Sequence, residues 1–113
     1  MKIKAVVNGS VLTIFLCGEL GHHEAIDVIS RIRDEMERGT YMQIILDMDG
    51  LTFMDSSGIG MIMGRYKKAR TLGGRVCAFG VNAQILRIIE MSGIDRIIKL
   101  TPDLDRALRL MDK

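Results

Sequence analysis

Apolar positions recur in two rhythms along this chain, and the change of rhythm marks its elements. Residues 2–7 and 11–17 are apolar-rich runs on either side of Asn8-Gly9-Ser10. They predict an antiparallel hairpin, because Asn-Gly supplies the positive φ angles of a tight turn. The period then becomes helical. Ala25, Val28, Ile29, Ile32 and Met36 form one stripe, with Asp27, Arg31, Asp34, Glu35 and Arg38 on the remaining faces, which predicts a helix over 23–38 stopped by Gly39. Residues 42–48 (Met-Gln-Ile-Ile-Leu-Asp-Met) are nearly all apolar, as expected of a strand covered on both faces.

After a loop, residues 57–72 carry Ile59, Ile62, Met63, Tyr66 and Ala69 at helical spacing, with a basic flank of Arg65, Lys67, Lys68 and Arg70 and a stop at Gly73-Gly74. Residues 75–79 predict a strand, and Asn82 caps a helix through Ile85, Ile88, Ile89 and Met91 that closes at Gly93. Residues 97–100 predict a last short strand. Thr101 is the expected cap of a final helix with Pro102 at its first position and Leu104, Ala107, Leu108 and Met111 inward. The order β-β-α-β-α-β-α-β-α predicts an α/β fold. Its sheet is mixed and mostly parallel after an N-terminal hairpin, and about four helices cover it within a single domain spanning 1–113.

Composition narrows the function classes. With 113 residues, 48% hydrophobic and 27% charged, the chain has the make-up of one soluble globule, and its 4% aromatic content leaves an aliphatic core filled out by nine Met. A net charge of +2 spread over both signs gives neither a field for nucleic acid nor a polybasic tail for a membrane surface. Cys17 and Cys77 lie far apart in apolar runs and are expected as buried free thiols in a reducing cytoplasm. The run before Cys17 imitates a signal segment, but Asn8-Gly9-Ser10 interrupts it and Leu16 stands where cleavage needs a small residue. A cytoplasmic location follows as the expectation, with no membrane partner and no direct contact to nucleic acid.

Most of the candidate chemistry falls away on inspection. Gly58, Gly60 and Gly64 follow a strand as a dinucleotide fingerprint would, but the stretch Cys77-Ala78-Phe79-Gly80 holds no carboxylate for a ribose, and tight helix packing explains the glycines. His22-His23 has no accompanying ligands at metal spacing, so no metal is expected. Ser56 lacks the glycine two positions earlier that a nucleophile elbow needs, since Met54 is there. What stands out is Leu51-Thr52-Phe53-Met54-Asp55-Ser56-Ser57-Gly58-Ile59-Gly60, which places two hydroxyls and a carboxylate at the point where a buried strand gives way to a helix. One reading is simple N-capping. The other is a phosphorylation site, because a helix N-terminus tolerates a phosphate of about −1.5 to −2 charges while presenting it to any docked partner.

Those residues, together with Phe15-Leu16-Cys17-Gly18-Glu19-Leu20, His22-His23, Gly64-Arg65-Tyr66-Lys67 and Met91-Ser92-Gly93-Ile94, resemble the anti-sigma factor antagonists of the STAS domain family, most closely its sporulation branch. The resemblance covers essentially the whole chain. It implies a non-enzymatic β/α module that binds an anti-sigma serine kinase in its ATP- or ADP-bound state and so frees a sigma factor. It further implies that the kinase phosphorylates Ser56, that the modified protein lets go, and that a PP2C-type phosphatase restores it. By the same resemblance Gly21, His23, Asp55, Ser57, Gly58, Ile59, Gly60 and Arg65 are expected to shape or border the docking surface, with no cofactor of the chain's own. One departure is visible: the relatives carry an acidic residue before the His-His pair, where this chain has Gly21. The alternative within the family is a scaffold subunit of a stress-signalling complex.

Overall fold

Gly9 has φ 63° and no other residue of the Asn8–Val11 turn has a positive φ, the pattern of a type II′ hairpin whose twist matches the strands it joins. The computed structural model describes residues 1–38 and 43–112. In it the hairpin pairs β1 (Lys2–Asn8) with β2 (Val11–Leu20), followed by α1 (His22–Arg38), β3 (Gln43–Met54), α2 (Ser56–Thr71), β4 (Val76–Phe79), α3 (Ala83–Ser92), β5 (Lys99–Thr101) and α4 (Leu104–Met111). A short 3-10 turn, Ile94–Arg96, links α3 to β5.

The sheet runs β1-β2-β3-β4-β5 in space as in sequence, antiparallel at β1/β2 and parallel thereafter. That monotonic order has a consequence. Right-handed crossovers that always step in the same direction put their helices on the same side. Accordingly α1, α2 and α3 share one face, where Leu12, Ile14, Leu46, Ala78, Val28, Ile32, Ile62, Ile85 and Ile89 belong to the larger core. α4 follows the last strand, is bound by no crossover, and closes a smaller cluster of Val11, Ile45, Cys77, Phe79, Ala107 and Met111 on the opposite face. Alternate residues of β2, β3 and β4 thus enter different cores, which is why these strands read as continuous apolar runs.

Several expectations are corrected. β3 does not end at Met48 but continues to Met54, pairing Gly50 with Cys17 and Leu51 with Gly18 between two register irregularities. Asp49 and Gly50 break the apolar pattern without breaking the strand, because a bulged ladder tolerates them. The last helix is capped by Asp103, not Thr101. The Asp103 carboxylate accepts the Arg106 N–H at 2.9 Å, while Thr101 pairs with Phe79 in the sheet and Pro102 precedes the cap. Met91 is not inward but 82% exposed, at the end of α3. Cys77 is a buried free thiol as expected, but Cys17 is exposed, since it lies on the α4 side of β2 and α4 packs on β3, β4 and β5. The expected stop at Gly39 and the expected strand start at Met42 lie outside the described residues.

Candidate functional site

Two strand-to-helix junctions meet at the C-terminal edge of the sheet. β2 ends at Leu20 and turns through Gly21 into α1; β3 ends at Met54 and turns through Asp55 into α2. The Asp55 N–H donates to the Leu20 carbonyl at 3.4 Å, which ties the second junction to the first.

Each helix start satisfies its own orphan donors. At α1, Glu24 reaches back and accepts the Gly21 N–H at 2.9 Å, half of a capping box. At α2, the Asp55 carboxylate accepts the Ser57 N–H at 2.8 Å, and its carbonyl accepts the Gly58 N–H at 3.1 Å. Ser57 is half-buried under that bond, whereas Ser56, the first residue of α2, is exposed. The two serines thus have different surroundings: Ser56 is exposed at the positive end of the helix dipole, and Ser57 is half-buried with its main-chain N–H held by Asp55.

Gly58 is buried, and a Cβ there would collide with Met54 Cγ and stand 3.2 Å from Leu20 Cδ2. It is a packing residue, which lets α2 sit directly on the ends of β2 and β3. Ile59 is half-buried against the larger core, and Gly60 is exposed with open space around it. Gly21 borders the same junction, since a Cβ on it would lie 3.7 Å from Asp55 Oδ2. His22 and His23 are both exposed on the first turn of α1, ring centroids 5.6 Å apart and edge to face. Among the described residues no group of three or more His, Cys, Asp or Glu could hold a metal ion.

The structure therefore gathers Gly21, Asp55, Ser56, Ser57 and Gly58 at one tip, with His23 on the adjoining helix. Arg65 is not there: nine residues along α2 it lies about 13 Å down the axis, facing α1 instead. Two residues of the tip escaped the sequence reading. Glu24 was legible, standing three positions after the Gly21 cap. Phe53 was not: 42% exposed beside Thr52, it breaks the alternation of its strand and leaves an aromatic ring next to the Ser56 turn.

Known proteins share both sequence and architecture with this chain. A family model described as the STAS domain matches residues 2–107. An anti-sigma F factor antagonist of Paenibacillus polymyxa is 35% identical over 100 residues, covering 88% of this chain and 86% of the relative. A crystal structure of a Thermotoga maritima protein superposes with a TM-score of 0.91 at 21% identity, over 98% of this chain and 95% of the other. The anti-sigma factor antagonist SpoIIAA in its unphosphorylated form superposes with a TM-score of 0.75 at 23% identity, covering 93% and 92%. With a family match spanning nearly its whole length, the chain belongs to the STAS domain family.

Proposed function

We propose that this chain is an anti-sigma factor antagonist that captures an anti-sigma serine kinase through the tip around Ser56 and is released when Ser56 is phosphorylated. The observation that carries the reading is the different setting of the two serines: Ser56 is exposed at the first position of α2, whereas Ser57 is half-buried with its main-chain N–H held by Asp55. The Paenibacillus polymyxa relative is itself an anti-sigma F factor antagonist, and SpoIIAA, whose fold this chain shares, has been solved in a phosphorylated form.

The switch works by charge and desolvation. A phosphoserine adds about −1.5 to −2 charges at neutral pH. A doubly charged phosphate about 6 Å from a partner carboxylate is repelled by about 1 to 5 kcal/mol between effective dielectrics of about 80 and 20. That is one to four orders of magnitude in affinity. The helix N-terminus tolerates the same phosphate, so release needs no unfolding. Gly21 stands where relatives place an acidic residue. A carboxylate there would crowd Asp55 and Glu24, and its absence leaves the tip with less negative charge before modification. In this reading the protein acts in the cytoplasm and turns nothing over: the kinase supplies the chemistry and a PP2C-type phosphatase reverses it.

Isothermal titration of the cognate anti-sigma kinase, loaded with ADP, with wild type, Ser56→Ala and Ser56→Asp tests this. Wild type and Ser56→Ala should bind alike and Ser56→Asp at least tenfold more weakly; equal affinity of all three overturns the charge mechanism. After incubation with kinase and ATP, mass spectrometry should place the phosphate on Ser56. Phosphate on Ser57 alone refutes the assignment.

A further inference from the structure

A groove of about 520 Å³ runs between the C-terminal halves of α1 and α2, lined by Arg33, Met36 and Glu37 of α1, Arg65 and Lys68 of α2, and Leu72 just past its end. Three cations face one carboxylate there, and among the described residues none of the three makes an ion pair. Arg65 is the unusual member. Its Nε is buried and, among the described residues, has no hydrogen-bond partner. Burial, and secondarily the charge of Arg33, hold its guanidinium below its ordinary pKa. A buried donor left unsatisfied is destabilising, more so when charged, and no group among the described residues satisfies this one.

Resting on the proposed function, we infer that this groove receives an acidic segment of the bound anti-sigma partner, with a carboxylate on Arg65 between Arg33 and Lys68 and an apolar neighbour against Met36 and Leu72. The charge selects the occupant. A carboxylate satisfies a guanidinium fork with two parallel bonds. It relieves the Arg33–Arg65 repulsion at the same time. Leu72, 43% exposed, and the half-buried Met36 supply the apolar rim that a peptide covers and a free ion would not. Since Arg65 lies about 13 Å along α2 from Ser56, the partner grips one helix at two separated points, of which phosphorylation disrupts only one.

The test is a set of affinities for the ADP-loaded anti-sigma kinase at two salt concentrations, measured for wild type, Arg65→Met, Arg65→Lys, the exposed-site variants Arg33→Gln and Lys68→Gln, and each of these combined with Ser56→Asp. Arg65→Met should weaken binding at least tenfold and flatten its salt dependence, yet melt no lower than wild type because an unsatisfied buried N–H has gone. Arg65→Lys should recover part of the loss, and Arg33→Gln and Lys68→Gln should each weaken binding several-fold. Because the two sites are more than 7–10 Å apart, each groove substitution should reduce the affinity of the Ser56→Asp form by the same factor as that of the wild type. If Ser56→Asp loses binding while every groove variant binds like wild type, the groove is overturned and the Ser56 reading stands. If wild type itself fails to bind, both fall. Saturable binding of inorganic phosphate abolished by Arg65→Met, or a dimer of this chain abolished by it, reassigns the groove to another occupant and overturns the inference.

Discussion

The Asp55 carboxylate accepts the Ser57 N–H at 2.8 Å, and that bond caps α2 where it begins. Removing it by Asp55→Ala should cost about 0.5–2 kcal/mol of stability, read from the urea midpoint, while Asp55→Asn, which keeps an acceptor oxygen, should lose less than half as much. An unchanged urea midpoint would show that the cap contributes nothing.

Two glycines of the same helix should respond in opposite directions to one extra methyl. At Gly58 a Cβ would stand 2.8 Å from the sulfur of Met54, a residue only 1% exposed, and 3.2 Å from Leu20 Cδ2. Gly58→Ala should therefore destabilise by about 1–3 kcal/mol through overpacking, despite the better helix propensity of Ala. Gly60 has nothing within 4 Å of its would-be Cβ, so Gly60→Ala should gain up to about 1 kcal/mol from propensity alone. Thermal melts of the pair check both signs; two destabilised variants would mean that α2 resists any substitution in its first two turns.

That contrast also shows how far the sequence was legible. Gly58 and Gly60 look identical in the string Asp-Ser-Ser-Gly-Ile-Gly, and only the position of Met54 at the end of β3 separates them. Local signals transferred well where the physics is local: Gly9 in its turn, Asn82 accepting the Ile85 N–H, Gly93 in the left-handed region after α3. They failed where a distant partner decides. Asp49 stays in β3 because the β2 ladder passes it in an irregular step and resumes at Gly50, and Cys17 is exposed because α4 does not extend over it. Arg65 is the clearest instance at the site. Its motif neighbours suggested the Ser56 tip, while helix geometry carries it to a groove whose other wall is a separate helix.

Replacing Ser56 by aspartate should leave the fold intact. A negative charge in the first turn interacts favourably with the helix dipole by about 0.3–1 kcal/mol, and the neighbouring Asp55 carboxylate opposes it by a similar surface-screened amount. Ser56 is exposed, so no packing is lost. The net expectation is a stability within about 0.5 kcal/mol of wild type, measured by urea denaturation at neutral pH and moderate salt. A loss of more than about 2 kcal/mol, the scale of a disrupted structural feature, would mean that impaired binding by this variant reports unfolding and not charge.

The two thiols should separate in reactivity and in pH dependence. Cys17 is exposed and Cys77 fully buried between β3, β5 and α4, so a thiol reagent near neutral pH should label one cysteine in the native protein and both in denaturant. Burial pushes the Cys77 thiol up from an ordinary 9.0 to about 11. Its folded-state pKa thus lies above the unfolded one, and between those values the unfolded chain releases a proton that the native state keeps. The stabilising contribution is complete below about pH 9 and is lost as pH rises through about 11, because the slope of stability with pH is negative wherever the unfolded state binds fewer protons. Cys77→Ala removes the titrating group while leaving the Lys and Tyr residues in place. The difference in urea-derived stability between wild type and Cys77→Ala should therefore be flat from pH 6 to about pH 9 and then shrink as alkalinity rises. A difference that stays constant to about pH 11 would mean that Cys77 ionises equally well in both states and that its burial carries no penalty for charge.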